Sequence, residues 1–206
     1  MKTINIIDYG LCNIHSVKSA ITKLGYKPNL INNINGLPSD SKIILPGVGS
    51  FANGISRLEE MGLIGSIKKH IDNQGHFLGI CLGMQMMFEK SSESKNTKGL
   101  GIIKGEIDLI PNQYMNKTHK VPHIGWNKLT IDNNFSKSIV KNDYNVYFVH
   151  SYMAKDVDSN NIIATCEYNN IEIPAIVKYK NSYGCQFHPE KSGETGLDIL
   201  KSLLDI

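Results

Sequence analysis

The residues best suited to chemistry are a histidine and a carboxylate two positions apart. They lie in Gln186-Phe187-His188-Pro189-Glu190-Lys191-Ser192, at the end of an apolar stretch. A carboxylate beside an imidazole sets its tautomer and steadies its positive charge, so His188 and Glu190 would form a general base with its orienter. The matching nucleophile lies far upstream: Cys81, within Gly79-Ile80-Cys81-Leu82-Gly83-Met84-Gln85. A strand ending in Gly-x-Cys-x-Gly and opening into a helix makes a sharp elbow, for which the glycines leave room. The sulfur then sits near a helix N-terminus, where the dipole and free N–H groups favour a thiolate. The Leu82 N–H would face an oxygen held beside that sulfur, as an oxyanion donor. Each feature has a plainer alternative. Cys81 alone could be a core cysteine packed beside glycines, and His-Pro-Glu alone a surface turn with a solvated carboxylate. Found in one chain, they favour a Cys-His-Glu triad for acyl transfer.

A second loop, Pro46-Gly47-Val48-Gly49-Ser50-Phe51, follows the strand-like run ending at Leu45. Two glycines around Val48 free the backbone to aim an N–H at a ligand, and a plain strand-to-helix turn is the alternative. A phosphate loop is disfavoured, because there is no G-K-[ST] and no G-x-G-x-x-G opens a helix here.

These residues need elements to position them. Ile4–Asp8 is a short apolar strand. Ile14, Val17, Ile21 and Leu24 recur at helical spacing, with Gly25 placed for a C-cap. Residues 27–31 and 42–45 suggest strands. Residues 51–70 carry helical pattern, interrupted at Gly62 and Gly65. Residues 77–80 suggest a buried strand and 82–90 a helix. Such alternation argues for an α/β fold around a parallel sheet. The second half is strand-rich, over 102–110, 145–149, 162–168, 175–179 and 183–187, and closes with a helix over 196–204. Residues 91–98 and 112–120 suggest loops, the latter a mobile one. The expected architecture is one domain, a mostly parallel core extended by antiparallel or mixed strands.

Bulk properties narrow the function classes. With 206 residues the chain can bury one sizeable core. Its net charge of +3, in scattered basic residues, argues against nucleic acid. No run approaches membrane-spanning length and Met1-Lys2-Thr3 leads straight into a strand, so no signal peptide and a cytoplasmic location are expected. The four cysteines, Cys12, Cys81, Cys166 and Cys185, form no C-x-x-C, so neither a zinc site nor a dithiol motif is indicated.

In order along the chain, Ile7-Asp8-Tyr9-Gly10 with Asn13, Leu45 to Phe51, Gly79 to Gln85, Val121-Pro122-His123-Ile124-Gly125-Trp126-Asn127, Tyr147-Phe148-Val149-His150-Ser151-Tyr152 and Gln186 to Ser192 resemble one family. It is the class I (triad-type) glutamine amidotransferases, and within them the glutaminase subunits of imidazole glycerol phosphate synthase. The resemblance covers residue 4 to the C-terminal helix. It implies a single amidotransferase domain over 1–206, with a flavodoxin-like three-layer sandwich. L-Glutamine would be hydrolysed to glutamate and ammonia through Cys81, His188 and Glu190, with no cofactor and no metal. The Val48 and Leu82 N–H groups would form the oxyanion hole, and Gly49, Gln85, Glu93 and Ser151 would hold the ends of glutamine. The implied partner is a (β/α)8-barrel synthase (cyclase) subunit, in a heterodimer without nucleic acid or membrane. It would turn the ammonia into imidazole glycerol phosphate and aminoimidazole carboxamide ribotide, in histidine biosynthesis. Asn13, Trp126 and Lys191 match positions near that interface, although core packing is the alternative for the lone tryptophan. The chain departs from the family pattern at Cys12 and Cys185, which are expected to be non-catalytic. A paralogous glutaminase serving a barrel-type partner in nucleotide-sugar or surface-polysaccharide modification has the same triad, and Gly193-Glu194-Thr195-Gly196-Leu197 is similar to such paralogues. A non-enzymatic binding domain and a protease of the same lineage fit less well, given the intact triad and the Gln85 and His150-Ser151-Tyr152 segments.

Overall fold

The computed structural model describes residues 1–115, 117–118, 120–131 and 144–206. The first half runs β1 (Thr3–Ile7), α1 (Ile14–Lys23), β2 (Lys27–Ile31), β3 (Lys42–Gly47), α2 (Phe51–Glu60), α3 (Leu63–Asp72), β4 (His76–Cys81) and α4 (Leu82–Gln85). A final helix, α5 (Gly193–Asp205), closes the chain. Among the described residues the main sheet has nine strands, in the order Asn145–His150, His123–Ile131, Ile162–Tyr168, Ile171–Tyr179, Ser182–Cys185, β4, β3, β1, β2. The five from Ser182–Cys185 to β2 are parallel. The rest pair antiparallel.

Side-chain alternation along the strands builds three layers. Ile4, Ile6, Ile44 and Leu78 point to one face, where Val17 and Ile21 of α1 and Leu200 and Leu204 of α5 cover them. Ile7, Ile43, Leu45 and Phe77 point to the other, under Phe51 and Leu58 of α2 and Ile67 and Ile71 of α3. Helices on both faces explain why these strands are runs of Ile and Leu rather than apolar–polar alternation. Each such side chain contributes about 1.5–3 kcal/mol on burial.

The expected mostly parallel core with an antiparallel extension is present, and Gly25 (φ +83°) ends α1 as its spacing predicts. Several boundaries differ. Gly62 separates α2 from α3 in a left-handed conformation, but Gly65 lies inside α3 and interrupts nothing. The helix expected over 82–90 stops at Gln85. The N–H groups of Leu100, Ile102 and Gly101 take the carbonyls of Met86, Met87 and Phe88, which a continuing helix would have used. The stretch expected as a loop over 91–98 contains a hairpin, with Ser94–Lys98 pairing against Lys90–Ser91. That hairpin joins Glu106–Leu109 and Tyr152–Lys155 in a small second sheet. Within 112–120, Gln113–Tyr114 pairs with Lys117–Thr118, while residues 116 and 119 lie outside the described residues. The strand His123–Ile131 has no counterpart in the sequence expectation, because its His, Gly, Trp and Asn carry no strand-like apolar alternation. Among the described residues, no helix is long and apolar enough to cross a membrane.

Candidate active site

Cys81 sits where β4 turns into α4, with φ 53° and ψ −109°. A non-glycine residue in this region stores about 1–3 kcal/mol of strain, so its surroundings must hold it there. They do so by close backbone packing. A Cβ on Gly83 would lie 1.8 Å from the Leu45 carbonyl oxygen, and one on Gly79 would lie 2.6 Å from that of Gly83. The elbow therefore needs both glycines for space, and the side chain between them projects from the C-terminal edge of the sheet.

His188 reaches the same place from the neighbouring parallel strand, Ser182–Cys185. Its turn is held at several points. The His188 N–H donates to the Tyr147 carbonyl at 3.0 Å, and the Ser192 hydroxyl donates to the His188 carbonyl at 2.7 Å. Nδ1 lies 2.7 Å from Oε1 of Glu190, and both side chains are buried. Among the described residues Nε2 has no formed hydrogen bond, and Cys81 acts on the imidazole from the same cavity. Burial opposes a charge on this imidazole, but Cys81 and the Glu190 carboxylate outweigh it and raise the pKa to about 10. Among the described residues Oε2 of Glu190 also lacks a hydrogen-bond partner, so the imidazolium is the charge that compensates this buried carboxylate.

The Val48 N–H does not point at the sulfur. It donates to the Leu11 carbonyl at 2.8 Å, so the expected two-donor oxyanion hole is not assembled in this conformation. The physical reason is that a freed backbone N–H takes the nearest carbonyl, and Leu11, on the loop after β1, supplies one. Leu82 is the first residue of α4, so its N–H has no helical carbonyl four residues back. Gly49 follows with φ +105°, which permits the sharp change of direction after Val48.

Cys81 and His188 line a cavity of about 380 Å³ together with Val48, Gly49, Leu82, Gln85, Glu93 and Ser151. The structure thus brings together every residue predicted for the triad, the oxyanion hole and the glutamine ends except Glu190, which stands behind His188. Glu93 arrives on the hairpin and accepts the Phe51 N–H at 2.6 Å, at the start of α2. Gln85 donates through Nε2 to the Tyr152 carbonyl and to Oε1 of Gln186, both at 3.1 Å. Sequence reasoning did not single out Gln186, although it sits in the same motif as His188. It also missed a buried chain behind the cavity. The Tyr152 carbonyl meets His150 Nδ1 at 2.8 Å, His150 Nε2 meets His123 Nδ1 at 3.0 Å, and His123 Nε2 meets Oδ1 of Asn127 at 2.8 Å. Burial pushes His150 down to about 3 and lowers His123, so both rings are neutral near pH 7. The signal was present in the two quoted motifs, but nothing local says that their histidines meet.

Asn13 caps α1, accepting the Ser16 N–H at 3.3 Å. Lys191 is exposed on the turn after His188. Trp126 is 53% exposed and Ile124 58%, so core packing is not the role of the tryptophan. The Trp126 ring lies 5.9 Å from that of Tyr147, whose carbonyl holds the His188 N–H. The remaining thiols are not poised for attack. Burial and the Asp8 carboxylate push Cys12 up to about 12, burial pushes Cys166 up to about 12, and burial and Glu190 raise Cys185. Among the described residues, no group of three or more His, Cys, Asp or Glu side chains is arranged to hold a metal ion.

Known proteins match this chain over its whole length. Residues 5–205 match the family model described as "Glutamine amidotransferase class-I". "Imidazole glycerol phosphate synthase subunit HisH" from Caldanaerobacter subterraneus subsp. tengcongensis is 47% identical over 201 residues, covering 97% of this chain and 96% of that protein. The protein of the same name from Lactococcus lactis subsp. lactis is 41% identical over 210 residues, covering 100% and 99%. Among solved structures, one described as "Crystal structure of glutamine amidotransferase" superposes with a TM-score of 0.74 at 14% identity, over 98% of this chain and 97% of that one. "Structure of PurLQS from Thermotoga maritima" superposes with a TM-score of 0.72 at 20% identity, over 99% and 98%. At those identities the structural likeness speaks for the fold.

Proposed function

The chain belongs to the class I glutamine amidotransferase family, and from that membership we propose that it is the glutaminase subunit of an imidazole glycerol phosphate synthase, hydrolysing L-glutamine to glutamate and ammonia for histidine biosynthesis. The observation that carries this reading is the strained Cys81 elbow opening into the same cavity as His188, whose far nitrogen is held by Glu190 at 2.7 Å. Two relatives named as synthase subunits, at 47% and 41% identity, favour histidine biosynthesis over the sugar-modifying paralogue. Their names also support the chain working as one subunit of a synthase complex.

In the proposed mechanism His188 takes the Cys81 proton and the thiolate attacks the side-chain amide carbon of glutamine. The oxyanion forms beside the Leu82 N–H. His188 returns the proton to the leaving nitrogen, ammonia departs and a thioester remains. His188 then takes a proton from water, hydroxide attacks the thioester, and the returned proton releases glutamate and the thiol. Glu190 keeps the ring's tautomer and balances its charge throughout. Gln85, Glu93, Ser151 and Gly49 line the part of the cavity that would hold the amino-acid end of glutamine.

The partner in this reading is a (β/α)8-barrel synthase subunit docking against the sheet edge that bears Asn13, Trp126 and Lys191, and receiving the ammonia directly. Because the Val48 N–H is engaged with Leu11, the chain alone has one oxyanion donor where catalysis uses two. Docking that releases Val48 would raise turnover, which couples ammonia release to the presence of a consumer. Losing one such donor costs about 100- to 1000-fold in kcat.

Replacing the nucleophile tests the core of this reading. Cys81→Ala should abolish glutamine-dependent synthesis by the complex and leave synthesis from added ammonium salts intact. Glutamate release by that variant at the wild-type rate would remove Cys81 from the mechanism. Glutamate release by the wild-type chain should also rise on adding the synthase subunit and its nucleotide substrate.

A further inference from the structure

We propose that Gln186 is a fourth catalytic residue of this site, its side-chain amide donating a hydrogen bond to the Cys81 sulfur that favours the thiolate. The proposal builds on the glutaminase reading above. Gln186 is completely buried, and its Nε2 lies 3.9 Å from Sγ of Cys81.

The direction of that contact follows from the chain of partners behind it. A backbone carbonyl only accepts, so Gln85 must present its NH2 group to the Tyr152 carbonyl. The same Nε2 lies 3.1 Å from Gln186, whose atom there must therefore be the accepting Oε1. That leaves the Gln186 NH2 group facing the sulfur. One carbonyl, at Tyr152, thus sets both amides through two fully specified bonds.

An amide N–H beside sulfur stabilises the anion more than the neutral thiol, because the donor's partial positive charge meets a full negative one. The amide itself neither gains nor loses a proton at working pH. Gln186 therefore acts as a fixed dipole, while His188 carries the proton. The bond is strongest before attack and weakens as negative charge leaves sulfur for the forming thioester. Its effect is to raise the fraction of Cys81 ready to react and to fix the position of the sulfur. It also ties the nucleophile to Gln85, which lines the proposed glutamine pocket.

The test is the pH dependence of Cys81 alkylation by iodoacetamide in the full-length chain, read at the Cys81 peptide by mass spectrometry so that Cys12 does not interfere. Gln186→Leu should move the midpoint of the alkylation profile up by about one pH unit. Gln186→Glu places a carboxylate against the sulfur and should move the midpoint further in the same direction. In the complex, Gln186→Leu should lower kcat for glutamine at least about tenfold and leave KM within about twofold. Far-UV circular dichroism and the thermal midpoint establish that each variant is folded. Should the leucine variant fail to fold, Gln186→Met, close to glutamine in length and without an N–H donor, carries the test. An unchanged midpoint in a folded variant would overturn the proposal and leave Gln186 as packing alone. The alkylation profile requires no substrate, so this outcome stays separate from failure of the glutaminase reading, which Cys81→Ala decides.

Discussion

His188 shows how a single side chain is tuned by its neighbours. Its ring is buried, which alone would discharge it, yet Cys81 and Glu190 raise its pKa to about 10. The leaving nitrogen of glutamine needs a proton, so kcat/KM for glutamine should fall as pH rises through about 10, where the free enzyme loses it. Glu190→Gln removes one of the groups that raise the pKa, so this basic limb should shift to lower pH. A pH–rate profile of the two proteins in complex with the synthase subunit checks both expectations. A limb unmoved by the substitution would show that Glu190 does not tune the base. The same group affects folding. A pKa raised in the native state contributes stability that is fully present below the unfolded value of about 6.5 and is lost as pH rises through about 10. Thermal midpoints at pH 6 and pH 10 should differ less in Glu190→Gln than in the wild type. Residue types and spacing already pointed to this pair, because two residues on either side of a proline stay together in any fold. What they could not supply was the sulfur that lines the same cavity.

At the scale of elements, the β4–α4 elbow is the unit that makes Cys81 usable. Its Gly-x-Cys-x-Gly pattern was legible because the need for small residues is local. Gly83→Ala should test it severely, since the new Cβ would meet the Leu45 carbonyl on β3 at 1.8 Å. Backbone cannot yield as a flexible side chain does, so a loss of about 2 kcal/mol or more is expected in urea unfolding. Wild-type stability in that variant would mean the elbow has more room than its packing indicates. The length of α4 was not legible. Leu82 to Lys90 has helical pattern, but the chain leaves the helix at Gln85 because residues 100–102 claim the carbonyls beyond it. The hairpin that carries Glu93 was equally hidden. Its polar residues look like a loop, and only pairing with Glu106–Leu109 and docking on α2 give it a structure.

Across the whole molecule, the candidate site residues gather at the C-terminal edge of the sheet. The loops after β1, β3, β4 and Ser182–Cys185 contribute Asn13, Val48, Leu82 and His188 to one rim. Exposed Trp126 and Ile124 extend it on the antiparallel side. A large aromatic ring left half exposed beside the site fits a docking anchor. Trp126→Ala should weaken binding of the synthase subunit by about 2 kcal/mol, roughly thirtyfold in Kd, measured by calorimetry with the full complex. Unaltered affinity would move the interface elsewhere. Asn13 and Lys191 stand on the same rim, so their substitution should act on coupling and affinity more than on chemistry at sulfur.

The order of motifs along the chain determined the family and the α/β core and pointed to Cys81, His188 and Glu190 as candidates, because each motif is encoded in residues close together in sequence. Tertiary structure alone decided what those residues do to one another. It placed the Gln186 amide against sulfur, joined His150 to His123, and gave the Val48 N–H to Leu11 rather than to an oxyanion. Each of these is a hydrogen bond between segments far apart in the chain. Local propensity and spacing do not specify such partners; burial does, by leaving each polar group only the neighbours that the packed core brings to it.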